Sequence, residues 1–149
     1  MSIDPARFIQ QHQSGILSTH SLRYQGYPFG SVVPYLISQE GRPAILISEL
    51  AEHTKNIAAD KKVGLTISDH DSDNPSAAAR ITLLANASLS SQQERLRNHY
   101  RQQFLDADRV LELPGFEFYE LELVAVRLIA GFGEIKWIDP ESLQLNKPT

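Results

Sequence analysis

The chain has 149 residues, 14 lysines and arginines against 18 aspartates and glutamates, a net charge of −4 and no cysteine. This length suits a single domain over residues 1–149, and the acidic balance argues against nucleic acid as the main partner. The missing cysteine excludes disulfides, thiolate metal sites and cysteine nucleophiles. The N-terminus does not resemble a signal peptide, and no apolar run reaches the roughly 20 residues of a membrane helix, so we expect a cytoplasmic protein.

The first third of the chain predicts one helix followed by strands. Asp4 and Pro5 suit the cap and first position of a helix over residues 4–13, which Gly15 ends. Strands are then predicted over residues 16–19, 29–38 and 44–47, with turns at 23–28 and 40–43. Pro34 indicates an edge or a bulge in the second of these strands. The third is apolar throughout, which predicts burial on both faces.

The rest of the chain alternates strands with two further helices. Residues 48–60 read as a loop and then a helix, and residues 69–79 as a polar surface loop. The form of a capping box, Ser91 to Glu94, starts a helix whose apolar stripe is Leu96, Tyr100 and Phe104. Strands are predicted over residues 63–67, 80–89, 116–130 and 134–138. Within the long strand, the apolar run 121–130 is predicted to form an interface between subunits.

These elements amount to six or seven strands and three helices. Most strands follow one another as hairpins, without strand–helix–strand crossovers. This order favours a mainly β fold, an antiparallel barrel with accessory helices, over a doubly wound sheet.

No metal site or standard catalytic motif is recognisable. The five histidines are scattered: His12, His20, His53, His70 and His99. The acidic run 69–73 lacks the glycine and the distal glutamate of a calcium loop, which favours a solvated loop. Nucleophile-elbow, phosphate-loop and dinucleotide fingerprints are missing, and no side chain stands out as a catalytic acid or base.

Two segments could nevertheless contact a ligand. Residues 48–56 join a buried strand to a helix and carry the hydroxyl, amide and imidazole groups that suit a phosphate, although the same residue types also cap helices for structural reasons. Residues 131–137 hold two glycines and the only tryptophan, Trp137. They could approach a planar ring, or form a barrel corner with a core tryptophan.

Taken in order, these motifs resemble a known family. The strings are Gly15–Thr19, Gly26–Tyr35, Ile47–Asn56 with the pattern Leu-Ala-x-His-Thr-x-Asn, Arg80–Leu83 and Gly131–Gly133. They are similar to the pyridoxamine-phosphate-oxidase-related FMN-binding split β-barrels, in the branch of haem-utilisation and CREG-like proteins. The resemblance runs from about residue 10 to residue 138 and implies a six- to seven-stranded antiparallel split barrel.

The resemblance also implies a homodimer with two composite FMN sites. The strand Ser31, Val32 and Val33 would lie along the isoalloxazine, and Arg80 would reach toward the flavin or its phosphate. The residues around the phosphate would be Ser48, His53, Thr54 and Asn56. The partner subunit would supply Phe132, Lys136 and Trp137.

The chain departs from the oxidases at two places. They have an arginine where Ser31 stands, and their Ser-Arg-Lys phosphate motif is replaced here by His-Thr-x-Asn. Haem-degrading members have a haem-ligating histidine in a C-terminal extension, whereas the last histidine here is His99, so we expect no stable histidine-ligated haem complex. The leading hypothesis is therefore an FMN-dependent oxidoreductase with an unidentified small-molecule substrate. The alternative is a dimer that binds haem or another planar ligand, or a CREG-like interaction module without a cofactor.

Overall fold

A computed structural model describes residues 3–69, 73–74, 78–131 and 133–145. Within these residues the chain forms seven strands, four α-helices and one 3-10 helix, Pro140–Ser142. The helices are α1 (Pro5–Gln11), α2 (Glu52–Ala59), α3 (Gln93–Gln103) and α4 (Ala107–Leu111). The strands are β1 (Ser14–His20), β2 (Pro28–Ile37), β3 (Pro43–Ser48), β4 (Lys62–Ser68), β5 (Arg80–Leu89), β6 (Phe116–Ala130) and β7 (Glu134–Ile138). None of the helices in the described residues is long and apolar enough to cross a membrane.

The sheet is antiparallel and closes into a barrel. The strand order is β3-β2-β1-β4-β5-β6-β7, and an additional pairing of β3 with β6 closes the first six strands. One end of β6, residues 116–120, pairs with β3, while residues 126–130 pair with β7. The strand β7 therefore lies outside the closed barrel. This architecture confirms the predicted mainly β split barrel.

The core explains why β3 is apolar throughout. Ile45 and Ile47 face the barrel interior, whereas Ala44 and Leu46 belong to a second apolar cluster with Leu96 of α3. Both faces of β3 are thus buried, as the sequence predicts. Helix α1 covers one end of the barrel, where the fully buried Tyr35 donates a hydrogen bond from its hydroxyl to the carbonyl of Ile9.

Three details of the predicted helices need correction. The capping box does not form, because α3 begins after Gln92, which makes no side-chain cap bond, and the Ser90 hydroxyl accepts from the Gln92 amide. Helix α4 was not predicted. Gly15 lies inside β1, where a Cβ would come within 2.9 Å of the Thr66 carbonyl oxygen, so it serves close strand packing and not helix termination. The predicted loop 69–79 falls partly outside the described residues.

The predicted interface run 121–130 also needs correction. Leu121, Val126 and Leu128 are fully buried in the barrel's own core. The pairing of β5 with β6 shifts between Leu84 and Ala85, and this irregularity leaves Val124 without a partner and 59% exposed. The run is apolar because part of it fills the core, so it supplies only part of any interface.

Candidate functional site

The first candidate site lies beside β2, where the barrel is open. β2 pairs with β1 over residues 28–34 but with β3 only over residues 35–37. Among the described residues, 28–34 therefore have no strand neighbour on their second edge. Helix α2, which contacts both β1 and β2, brings His53 to this edge, and His53 Nδ1 lies 3.0 Å from the Ser31 hydroxyl.

The two ring nitrogens of His53 differ in their hydrogen bonding, because only Nδ1 has a partner among the described residues. Nε2 is buried and has no hydrogen-bond partner among the described residues. Burial lowers the pKa of His53, because desolvation penalises the charged imidazolium. A neutral ring with Nδ1 accepting from Ser31 carries its proton on Nε2 and can donate it to an anion.

The other predicted phosphate residues use their polar atoms inside the chain. The Thr54 hydroxyl donates to the Ser48 carbonyl, and the Ser48 hydroxyl accepts from the Leu50 amide. Asn56 donates through Nδ2 to the Thr19 hydroxyl and accepts at Oδ1 from the Leu22 amide. These bonds give Thr54 and Asn56 a structural role. Asn56 holds α2 against β1 and the loop that follows β1, and Thr54 holds α2 to the end of β3.

The depressed pKa of His53 makes the stability of the protein depend on pH. Between the folded-state pKa and the ordinary value of about 6.5, the unfolded chain binds more protons, so we expect stability to fall as pH drops through about 6.5. Urea denaturation of wild type and His53→Gln at several pH values tests this. A wild-type slope that the variant retains in full would assign the effect to other groups.

The second candidate site lies on the outer face of the barrel. Cross-strand register aligns one row across six strands: Val32, Ile16, Thr66, Thr82, Arg127 and Trp137. The guanidinium of Arg127 lies 5.1 Å from the Trp137 ring centroid, a cation–π contact. Trp137 is 60% exposed, so it does not pack in the core of its own chain. The structure therefore excludes the core-tryptophan alternative.

A largely apolar cavity of about 480 Å³ lies next to this row, and we call it the outer groove. Its residues come from the ends of β1 and β2 and from β4, β5 and β6: Ser18, Thr19, His20, Pro28, Lys62, Val63, Leu84, Ala85, Asn86 and Val124. His20 and Lys62 are exposed, and an imidazole and an ammonium thus border an apolar surface. The volume is within the range of small-molecule sites.

The structure separates the predicted flavin residues into two groups. Ser31, Ser48, His53, Thr54 and Asn56 lie around α2, with Val32 exposed and Val33 buried on the adjacent strand. Arg80, Lys136 and Trp137 lie near the other end of β6, since Arg80 pairs with Ile129 and Trp137 with Arg127. Phe132 lies outside the described residues.

The separation bears on how a site could be assembled. Ser48 pairs with Phe116, and residues 116 to 127 span about 36 Å along the strand at about 3.3 Å per residue. Around the sheet, Val32, which lies beside α2, and Trp137 are separated by five strand spacings of about 4.8 Å, or about 24 Å. Neither path brings Trp137 next to α2, so a site that contains both is most simply built from two chains.

Sequence reasoning missed His20, Lys62 and Arg127. The local signal was available, because His20 continues the outward-facing alternation of Ile16 and Ser18. The missing information was the register that places Lys62 and Val124 beside His20, which depends on pairing between distant strands.

Comparison with known proteins gives the family context. The family model described as "CREG, beta-barrel" matches residues 4–144. An Arabidopsis thaliana protein named "Non-canonical heme oxygenase HOZ, chloroplastic" is 35% identical over 119 residues, or 78% of this chain. The solved structure of a haem-binding protein from Mycobacterium smegmatis is 28% identical with a TM-score of 0.75 and covers 93% of this chain.

The chain spans only part of these two proteins, 36% of the plant protein and 57% of the mycobacterial one. A pyridoxamine 5′-phosphate oxidase homologue from Listeria innocua is 21% identical, covers 83% of this chain and 93% of its own, and has a TM-score of 0.61. At that identity the similarity supports the fold alone.

Proposed function

Because the chain belongs to the CREG β-barrel family, we propose that it is a haem-binding protein whose ligand occupies the outer groove. The observation that carries this proposal is the combination of an apolar groove with an exposed histidine and lysine at its border. The names of the Arabidopsis and Mycobacterium proteins support haem as the ligand. This reverses the order of the two hypotheses drawn from the sequence, in which FMN came first.

The residues of the outer groove fit the chemistry of haem. The porphyrin plane is largely apolar, and the exposed Leu84 and Val124 offer it apolar atoms. His20 would ligate the iron, and Lys62 would lie near a propionate, because imidazole is a common haem ligand and ammonium pairs with carboxylate. Bound haem would supply redox-active iron to the site. The expectation of no histidine-ligated haem considered only the C-terminal part of the sequence, and the present proposal replaces it.

We propose further that two chains face each other across this surface. Side chains on the outer face are unusually apolar and exposed: Ile16, Val32, Leu84, Val124, Ile135 and Trp137. A second copy would cover them and would also bring its own Trp137 and Lys136 to the groove. Scattering at micromolar protein should give twice 16.7 kDa, and a clean mass of 16.7 kDa would exclude the dimer.

FMN is the second candidate, favoured by the pair of Ser31 and His53. Its phosphate would accept from the buried Nε2, which has no partner among the described residues. Of the four residues expected around the phosphate, however, Thr54 and Asn56 hold their bonds within the chain. The flavin would supply hydride or single-electron chemistry.

Titration separates the two ligands. We expect haem to give a saturable Soret band at one equivalent per chain, and His20→Ala to weaken binding about tenfold or more and to alter the band. His99→Ala is the matched control, since His99 lies on another surface, and it should leave both unchanged. Saturable flavin binding that requires His53, without specific haem binding, would instead establish the FMN alternative. An identical haem spectrum in His20→Ala would remove this histidine from the iron.

A further inference from the structure

A different cavity, of about 500 Å³, lies between α1, the end of β2 and α3. The whole chain has only ten glutamines, and five of them are among the thirteen residues of this cavity: Gln10, Gln11, Gln13, Gln39 and Gln103. His12 and His99 also line it, and its accessible apolar side chain is the half-buried Ile37. We call it the glutamine groove. It shares no residue with the outer groove, and α2 contributes nothing to it.

The hydrogen-bonding groups of this groove are partly fixed and partly free. His12 donates from Nδ1 to the Phe8 carbonyl at 2.8 Å, so in the neutral ring Nε2 is an acceptor, and the ring packs against Phe8 at 4.4 Å. Gln13 donates from Nε2 to the carbonyl of Gln103. By contrast, Gln11, Gln39 and His99 make no side-chain hydrogen bond within the described part of the chain.

The composition of the groove selects the ligand class. No lysine, arginine, aspartate or glutamate is among its described residues, so a charged ligand would find no partner there. Each glutamine amide offers both a donor and an acceptor. We therefore propose that the glutamine groove binds an uncharged planar heterocycle with donors and acceptors on its edge, of the nucleobase class. Its apolar part would contact the ring face, and the amides would pair with the edge.

The groove continues into a second cavity of about 370 Å³ that shares Gln39 and His99. Arg95 lines this second part, but its guanidinium is already paired with the Glu40 carboxylate at 2.8 Å. The extension therefore offers room for a ribose-sized substituent without adding an unpaired cation for a phosphate.

Nucleosides test this proposal directly. We expect adenosine or guanosine to bind haem-free protein with a Kd of about 1 mM or tighter, and to shift amide resonances of α1 and α3 in NMR titrations. Because Gln11 and Gln39 are exposed and hold no other element, the double variant Gln11→Ala/Gln39→Ala should fold normally yet bind at least about tenfold more weakly. Gln25→Ala, in the exposed turn before β2, is the matched control and should bind as wild type.

Three results would overturn the proposal. They are the absence of saturable shifts with either nucleoside, shifts that the double variant leaves unchanged, and tighter binding of adenosine monophosphate than of adenosine, which would indicate a cationic site. The readout is independent of haem, because the shifts are followed at α1 and α3 and not at β1 and β4. Failure here would leave the proposed haem site untested and intact.

Discussion

Replacing Asn56 by alanine should lower the free energy of unfolding by about 2–4 kcal/mol. The Asn56 side chain is only 1% exposed and makes two hydrogen bonds, to the Thr19 hydroxyl and from the Leu22 amide. Alanine removes both at once and leaves a buried hydroxyl and a half-buried amide without their partner, and each such loss costs about 1–3 kcal/mol. Urea denaturation with an unchanged m value measures the effect.

Asn98→Ala provides the matched control. Asn98 is exposed on α3 and only accepts from the guanidinium of Arg101, so its loss should cost less than about 0.5 kcal/mol. Hydrogen exchange adds a local readout, because the Leu22 amide should lose its protection in Asn56→Ala before the barrel core does. Equal stability of the two variants would show that Asn56 does not hold α2 and the β1–β2 loop together.

Asn56 also illustrates where a sequence motif is ambiguous. The string Leu-Ala-x-His-Thr-x-Asn places hydroxyl, amide and imidazole groups within four positions, and a ligand and a helix anchor need the same residue types. Only the three-dimensional structure separates these roles, because Thr54 and Asn56 bond within the chain while the Nε2 of His53 has no partner among the described residues. Whether FMN contacts these residues stays a prediction.

The strands were predictable because their information is local. The apolar run of β3 and the turn at Gly41, with a φ of 84°, follow from neighbouring residues alone. Helix α4 was missed because it has only five residues and follows Asp106, a non-glycine residue with a φ of 57°. A single turn of this length has too few positions to show helical periodicity.

The outer face was not predictable from local pattern. The bulge at Val124 changes which residues of β6 point outward, and no proline or glycine in that strand marks it. The outer groove therefore depends on the register between β1, β4, β5 and β6. This register pairs residues that are far apart in the sequence, so no local pattern reports it. Trp137 is not among the residues that line the outer groove of its own chain, and its exposed ring motivates a site shared between chains.

A shared site makes a prediction about mixed dimers. Each homodimer, of His20→Ala or of Trp137→Ala, should bind haem about 10- to 150-fold more weakly, the range that corresponds to about 1.5–3 kcal/mol. In a heterodimer of the two variants, one site carries both substitutions and the other carries neither, provided that His20 and Trp137 of one site come from different chains. That second site should regain wild-type affinity for half an equivalent of haem per chain.

The mixed dimer is prepared by co-expression with two affinity tags, and haem is titrated by its Soret absorbance, with FMN titrated in parallel. His99→Ala paired with Trp137→Ala is the reference heterodimer, because His99 lines the glutamine groove and half of the sites should bind haem normally whether a site is built by one chain or by two. If the site were built by one chain, every site of the His20→Ala/Trp137→Ala heterodimer would carry one substitution and none would recover. Rescue of half the sites therefore requires that the exposed Trp137 of one chain completes the groove of the other, which also explains why this large apolar side chain faces away from its own core.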